Sequence, residues 1–495
     1  MRDLLSVSKP WWLIVLVVLL GGYWLLPISG TVMVIPGEDD RLAWPRYQLD
    51  GIGQQPGTVA TVEVTDIQPW SFVDLVVDGV PATAQGEATK RAETWTWHWT
   101  YRVPDQAGYE LIFYRDCHTG CRERGRVVVG VPRDDRPTHL PTKLGVVMPR
   151  LDRDWHGRSG WAVEITYALR PEETYWGVDD LATRVATHQK KGLRVLVRVD
   201  YEQEQSLPPT GDYVALAEYL TYVRRLARDE RLEHVYGYII GSDFNTSEAL
   251  SATDDAITPA WYARLFNGYG EDPTHTDNAV QVIRGENPKA RVIVGPLRPW
   301  TGDDADWQTS CSEPYAIDVP WLNYMDCLVS LLDASALAKS RGGVPLGAPD
   351  GFDMQAPGSP DVPEMAGALR ADEPRTDLSR EAWGGAQAGF RVYEDWLEIT
   401  NAYPTTRGLP VYIVSTNTYN RAAGIPPAQN YPAGWLTTAL DVVNGEPQIK
   451  ALCWFLDDFP HSDQWDWFSL TEHPGRLVDA AEEFDALLME ARAGP

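Results

Sequence analysis

At 495 residues, 44% hydrophobic and 23% charged, the chain has room for two or three domains and is too apolar to be disordered. Its 70 acidic residues against 43 Lys and Arg leave a formal net charge of −27, which excludes a nucleic-acid or anionic-lipid surface built on basic patches. Trp (21) and Tyr (22) outnumber Phe (10), so aromatic faces with a polar handle are available for sugar stacking as well as for cores.

Arg2 and Lys9 precede an apolar run over residues 11–26, with Trp11 and Trp12 at one end and Tyr23 and Trp24 at the other. The basic flank and aromatic belts predict a single transmembrane helix within residues 1–30, with the N-terminus cytoplasmic and the rest of the chain outside. A cleaved signal peptide is the rival reading, although no Ala-x-Ala site follows. Residues 31–57 are rich in Pro and Gly and read as an extended linker. Residues 58–131 switch to period two. Runs over 59–65, 72–77, 94–103, 109–114 and 125–130, separated by Gly, Pro and Asp turns, predict a small immunoglobulin-like β-sandwich. Trp95, Trp97 and Trp99 share one strand face, which reads as core, with an exposed binding face as the alternative.

Residues 143–490 alternate short β-branched runs with helical patterns, the mark of βα units around a parallel sheet. Strands are expected over 144–148, 162–167, 193–200, the segment leading to Asp243, then 291–295, 346–352, 411–416 and 450–456. Helices are expected over 178–191, 213–228, one long stretch near 261–286, 383–403 and 433–444. Eight strands placed in this way make an α/β fold of the (β/α)8 TIM-barrel type.

The cysteines suit an oxidising compartment. Cys117 with Cys121 and Cys311 with Cys327 are the expected disulfides, and Cys453, inside an apolar run, reads as a buried free thiol. A zinc half-site at Cys117, His118 and Cys121 is the alternative, but no second Cys/His pair stands nearby.

Two strand ends carry the functional reading. Strand four runs His234-Val-Tyr-Gly-Tyr-Ile-Ile-Gly-Ser-Asp-Phe-Asn245, and strand seven runs Pro410-Val-Tyr-Ile-Val-Ser-Thr-Asn-Thr-Tyr419. Together with Cys453-Trp-Phe-Leu-Asp-Asp-Phe-Pro460, they resemble the clan-A glycoside hydrolases, a cellulase-like superfamily of TIM barrels. In that pattern strand four ends Gly-Asn-Glu-Pro and strand seven ends in a second Glu. The resemblance puts Asp243 at the acid/base position and Ser415 at the nucleophile position, with both glutamates replaced. It also implies that Trp454 floors a sugar site and that Gln355 replaces a strand-six His or Tyr. Asn245, Trp300, Asn417 and Asp457 are the further candidate substrate-binding residues, and a rewired carboxylate pair could join Asp243 to Asp353, Asp457 or Glu202.

A retaining glycosidase needs two carboxyl groups ~5–5.5 Å apart. A serine hydroxyl without a partner base does not replace one of them. The expected function is therefore that of a membrane-anchored, extracytoplasmic, glycoside-hydrolase-like protein without catalysis, in a binding or assembly role. An active hydrolase using Asp243 with a non-standard second carboxylate is one alternative, and an accessory subunit of a membrane complex is another. The expected partners are the membrane, carbohydrate and other subunits, with no nucleic acid, cofactor or metal.

Overall fold

The computed structural model describes residues 32–36, 46–50, 59–66, 72–77, 80–84, 89–91, 94–104, 108–115, 122–130 and 142–490. Within the last span it omits 204, 247–256, 271–275, 302–310, 312–314, 342–347, 359–384, 388, 404, 421–423 and 461–462. The expected membrane helix and Cys117–Cys121 lie outside the described residues. Among the described residues no helix is long and apolar enough to cross a membrane. The chain divides into two compact units, Met1–Asp78 with Ala82–Asp135, and Gly79–Pro81 with Arg136–Pro495.

The first unit holds two antiparallel sheets. Strands Val32–Pro36, Arg122–Gly130, Gly108–Arg115 and Phe72–Val77 pair in that order in one. Arg46–Asp50, Val59–Asp66 and Thr94–Arg102 pair in the other. Period-two alternation aims Val62, Val64, Trp97 and Trp99 at Leu75, Leu111 and Phe113, and these side chains form the core between the sheets. Trp99 meets Phe113 edge-on at 5.9 Å, and Trp95 packs at the margin of the same cluster, so the core reading of the three tryptophans holds. The linker reading of 31–57 does not. Val32–Pro36, with its β-branched Val32, Val34 and Ile35, and Arg46–Asp50 each pair with a strand of the unit.

The second unit is a closed parallel barrel of eight strands. In chain order, strands one to eight are Leu144–Val147, Trp161–Tyr167, Arg194–Asp200, Gly237–Ile240, Arg291–Val294, Gly351–Gln355, Val411–Thr416 and Ile449–Trp454. Strand eight pairs with strand one and closes the ring. The strands are buried on both faces, which explains their near-continuous apolar runs. Val163, Leu196, Ile239, Ile293, Tyr412 and Cys453 fill the interior, whereas Val146, Val197, Ile240, Val292 and Leu452 pack under the helices.

Three features differ from expectation. The stretch near 261–286 is two helices, Pro259–Asn267 and Ala279–Glu286, because Gly268 adopts φ +78° and caps the first. Strand six lies at Gly351–Gln355, later than expected, with Asp353 and Gln355 inside it. The region around Cys327, where no helix was expected, is the helix Pro320–Arg341, and Cys327 bonds Cys311 from it. Cys453 is free and buried, as expected.

Candidate functional site

The C-terminal ends of strands three, four, five and six bring one charged cluster together, with Ser415 of strand seven beside it. At strand four Gly241 takes φ +70° and Asp243 takes φ +52°. Asp is among the few side chains that tolerate the left-handed region, and the Asp243 N–H donates to Pro296 O at 2.9 Å. Its carboxyl faces two donors. Gln355 Nε2 donates to Oδ1, and Arg298 Nη2 stands 3.6 Å from Oδ2. Parallel pairing sets Gln355 level with Ser415, which is half-buried and whose carbonyl accepts from Ala356 N at 3.1 Å.

Beneath Asp243 the cluster continues inward. Arg198 Nη2 lies 3.0 Å from Asp200 Oδ2, and Ser242 Oγ reaches Asp200 Oδ1 at 3.4 Å. Asp353 is only 2% exposed; its Oδ1 accepts weakly from Val414 N at 3.4 Å, and its Oδ2 has no partner among the described residues. Burial pushes Asp200 up to about 6, against the pull of Arg198 and with a further push from Asp243. Burial drives Asp353 well above the carboxylate range, and Arg198 only partly opposes it. Three carboxyl groups thus share two guanidinium groups in a poorly hydrated space, and protons make up the difference.

The remaining candidates are occupied by structural bonds. Asn245 ties two loops together: Nδ2 donates to Arg298 O at 2.9 Å, and Oδ1 accepts from Arg298 N at 2.8 Å. Trp300, at φ +57°, donates Nε1 to Gln387 O at 3.1 Å. Asn417 donates to Phe455 O at 2.6 Å and accepts from Tyr419 N at 2.8 Å. Trp454 corrects the expected sugar floor. It is fully buried in the outer layer, 5.6 Å from Tyr431 and bonded through Nε1 to Phe468 O, because strand alternation turns it toward the helices. Phe455, the next residue, packs on the interior side. Asp457 is also corrected, being fully buried. Arg153 grips both its oxygens, at 2.8 and 2.5 Å, while Arg150 N and Thr471 Oγ1 fill its remaining acceptor sites. Glu202 is held by Arg170 Nε at 2.5 Å.

On the other side of the mouth, at strands eight, one and two, aromatic side chains fill the space. Trp176 lies 4.8 Å from Tyr167 and 5.5 Å from Phe459, and Trp465 packs on Phe455 and Phe468. Outside this packing a cleft of about 680 Å³ opens between Met148, Arg150, Tyr175, Thr183, Arg184 and Asp458. Sequence reasoning overlooked Arg198, placed Arg298 at a strand end without a role, and treated Gln355 only as a departure. One signal was available: Arg198 interrupts the apolar run Arg194–Asp200 on the inward face shared with Leu196, where a charge needs a partner.

No family model and no curated protein matches the sequence. Solved structures with some similarity include a family 39 glycoside hydrolase from Bacteroides cellulosilyticus WH2, at 13% identity and TM-score 0.42, over 84% of this chain and 81% of that one. A glucosidase from Croceicoccus marinus matches at 12% identity and TM-score 0.44, over 71% of this chain and 67% of that one. The xylanase 10B modules of Clostridium thermocellum match at 12% identity and TM-score 0.36, over 94% of each chain. The barrel rests on its own strand pairing rather than on likenesses this distant.

Proposed function

We propose that this chain is a membrane-anchored, extracytoplasmic, glycoside-hydrolase-like protein in which the barrel no longer cleaves glycosidic bonds and serves binding or assembly. Residues 1–30 would be the anchor, the first unit an immunoglobulin-like spacer or second contact surface, and other subunits of a membrane complex the partners of an assembly role. The observation that carries this reading is the state of Asp243. Both its oxygens face donors, from Gln355 and Arg298, so the group at the acid/base position is held as a hydrogen-bond acceptor inside the barrel mouth. Ser415 stands where a second carboxylate would attack.

One observation favours the hydrolase alternative. Asp200, pushed up to about 6 by burial, carries a proton over part of the ordinary pH range and belongs to the same cluster as Asp243. Turnover of aryl-glycosides by the purified full chain, measured between pH 4 and 8, separates the two. The non-catalytic reading expects no turnover above buffer at any pH. Turnover that peaks near pH 6 and disappears in Asp243→Asn would establish the hydrolase instead.

A further inference from the structure

The large apolar side chains that stay exposed are not spread evenly over the barrel. Of the eight among the described residues, six stand in the segments that follow strands one, two, three and eight: Leu151, Leu169, Tyr213, Val214, Trp467 and Val478. These four strands are consecutive in the closed ring, so the six share one half of the barrel mouth. Single exposed apolar residues are ordinary, but their concentration on one side of one end marks a contact surface. The cleft of about 680 Å³ opens in this half, with Leu151 in its wall.

The charges of the cleft do not balance. Arg150 grips Asp152 through bonds of 3.0 and 2.9 Å, and Arg184 is neutralised by Glu164 at 2.7 Å. Lys191 nearby is held by the carbonyls of Leu151 and Arg153, at 2.6 and 2.8 Å. Two carboxyl groups of the wall are left over. Asp180 accepts from Tyr175 N but forms no salt bridge among the described residues, and Asp458 forms neither a hydrogen bond nor a salt bridge among them. Burial raises the Asp458 pKa, Arg150 opposes this, and Asp457, Glu472 and Asp466 add to the rise. Unmatched negative charge inside an apolar rim selects the partner. A second copy of this chain would bring a further −27 against it, and an anionic bilayer would be repelled in the same way. We infer that this half of the barrel mouth docks a basic, partly apolar segment of another protein, with a lysine or arginine entering the cleft beside Asp458 and Asp180 and apolar neighbours covering Leu151 and Trp467. The cation restores the charge balance, and its methylene stem lies along Met148 and Pro149. The surface takes its setting from the assembly role proposed above, but it shares no residue with the strand-four cluster and stands whether or not that cluster catalyses.

Fluorescence anisotropy tests it, with the full chain at about 0.15 M salt, where long-range attraction to the acidic surface is screened. The probes are short labelled peptides of alternating Lys and Leu, of Lys and Ser, and of Glu and Leu. The Lys/Leu peptide should bind with a Kd on the order of 0.1 mM or below, at least about tenfold more tightly than either of the others. Trp467→Ser should weaken it by about tenfold and Asp458→Asn by about fivefold. Neither side chain makes a hydrogen bond among the described residues, so both variants keep the fold. Glu233→Gln removes the same single charge just before strand four, at the opposite end of the barrel, and should leave binding unchanged, as should Asp243→Asn. Absence of Lys/Leu binding overturns the inference, as does equal affinity for the Lys/Ser peptide. So does a loss in Glu233→Gln as large as that in Asp458→Asn, or a loss confined to Asp243→Asn. Turnover of aryl-glycosides beside intact peptide binding would overturn the non-catalytic reading and leave this docking surface standing.

Discussion

Two buried clusters sit at the same end of one barrel and solve the same electrostatic problem in opposite ways. At strand eight Asp457 has one guanidinium, Arg153, on both oxygens, and a backbone N–H and a hydroxyl complete its shell. At strands three, four and six Asp200, Asp243 and Asp353 share Arg198 and Arg298, and one oxygen of Asp353 has no partner among the described residues. The first arrangement is a complete ion pair that holds the loop after strand one to strand eight. The second is over-supplied with carboxyl groups and keeps its protons. Charge balance, more than burial, distinguishes a structural staple from a site able to exchange protons or ligands.

The largest effect should come from breaking the balanced pair. Asp457→Ala leaves Arg153 buried without its carboxylate and should cost about 3–5 kcal/mol. Asp485, the half-exposed second partner of Arg153 at 3.3 Å, should cost under about 1 kcal/mol when changed to Ala. Urea denaturation of both variants measures the contrast, and equal losses would show that Asp457 is no staple.

The over-supplied cluster should respond with the opposite sign. The folded value for Asp200, about 6, stands above its ordinary 3.8. The folded state therefore binds the extra proton, and the stability this group adds is complete below about pH 4 and lost as pH rises through about 6. A shift of roughly 2 units corresponds to about 3 kcal/mol, of which the lost Arg198 contact returns a part. Asp200→Asn should thus flatten the fall in stability between pH 4 and 8 and be the more stable protein at pH 8. An unchanged slope would remove the proton-holding account. The smallest effect belongs to Asn245→Ala. Freeing the Arg298 N–H and carbonyl should cost about 1–2 kcal/mol and shorten amide-exchange protection of residues 296–301 without altering the rest of the barrel.

Much of the architecture could be read from the chain because burial imposes periodicity. Eight apolar runs spaced by helical patterns gave the barrel, and period-two alternation gave the sandwich core around Trp97 and Trp99. Boundaries were lost where local cues compete. Gly268 cut a helix that the apolar pattern continues through, and strands Val32–Pro36 and Arg46–Asp50 lay in a stretch dominated by Pro and Gly. The strand-end residue types at 243 and 415 were legible, but the partners of Asp243 were not. Gln355 and Arg298 come from positions 112 and 55 residues further along the chain, and only ring closure sets their side chains against the carboxyl.

Sequence by itself determined the strand order and most of the groups that reach the barrel mouth, because these follow from local pattern, although strand six and Arg198 escaped it. It could not determine which way each one faces or what it touches. A shift of one residue in a strand sends Trp454 to the helices and Phe455 to the interior, and the same Asp chemistry is a saturated staple at 457 and an over-supplied acid cluster at 200, 243 and 353. Side-chain direction, desolvation and the count of opposing charges are properties of the closed barrel, and they decide between structure and function at positions whose residue types look alike.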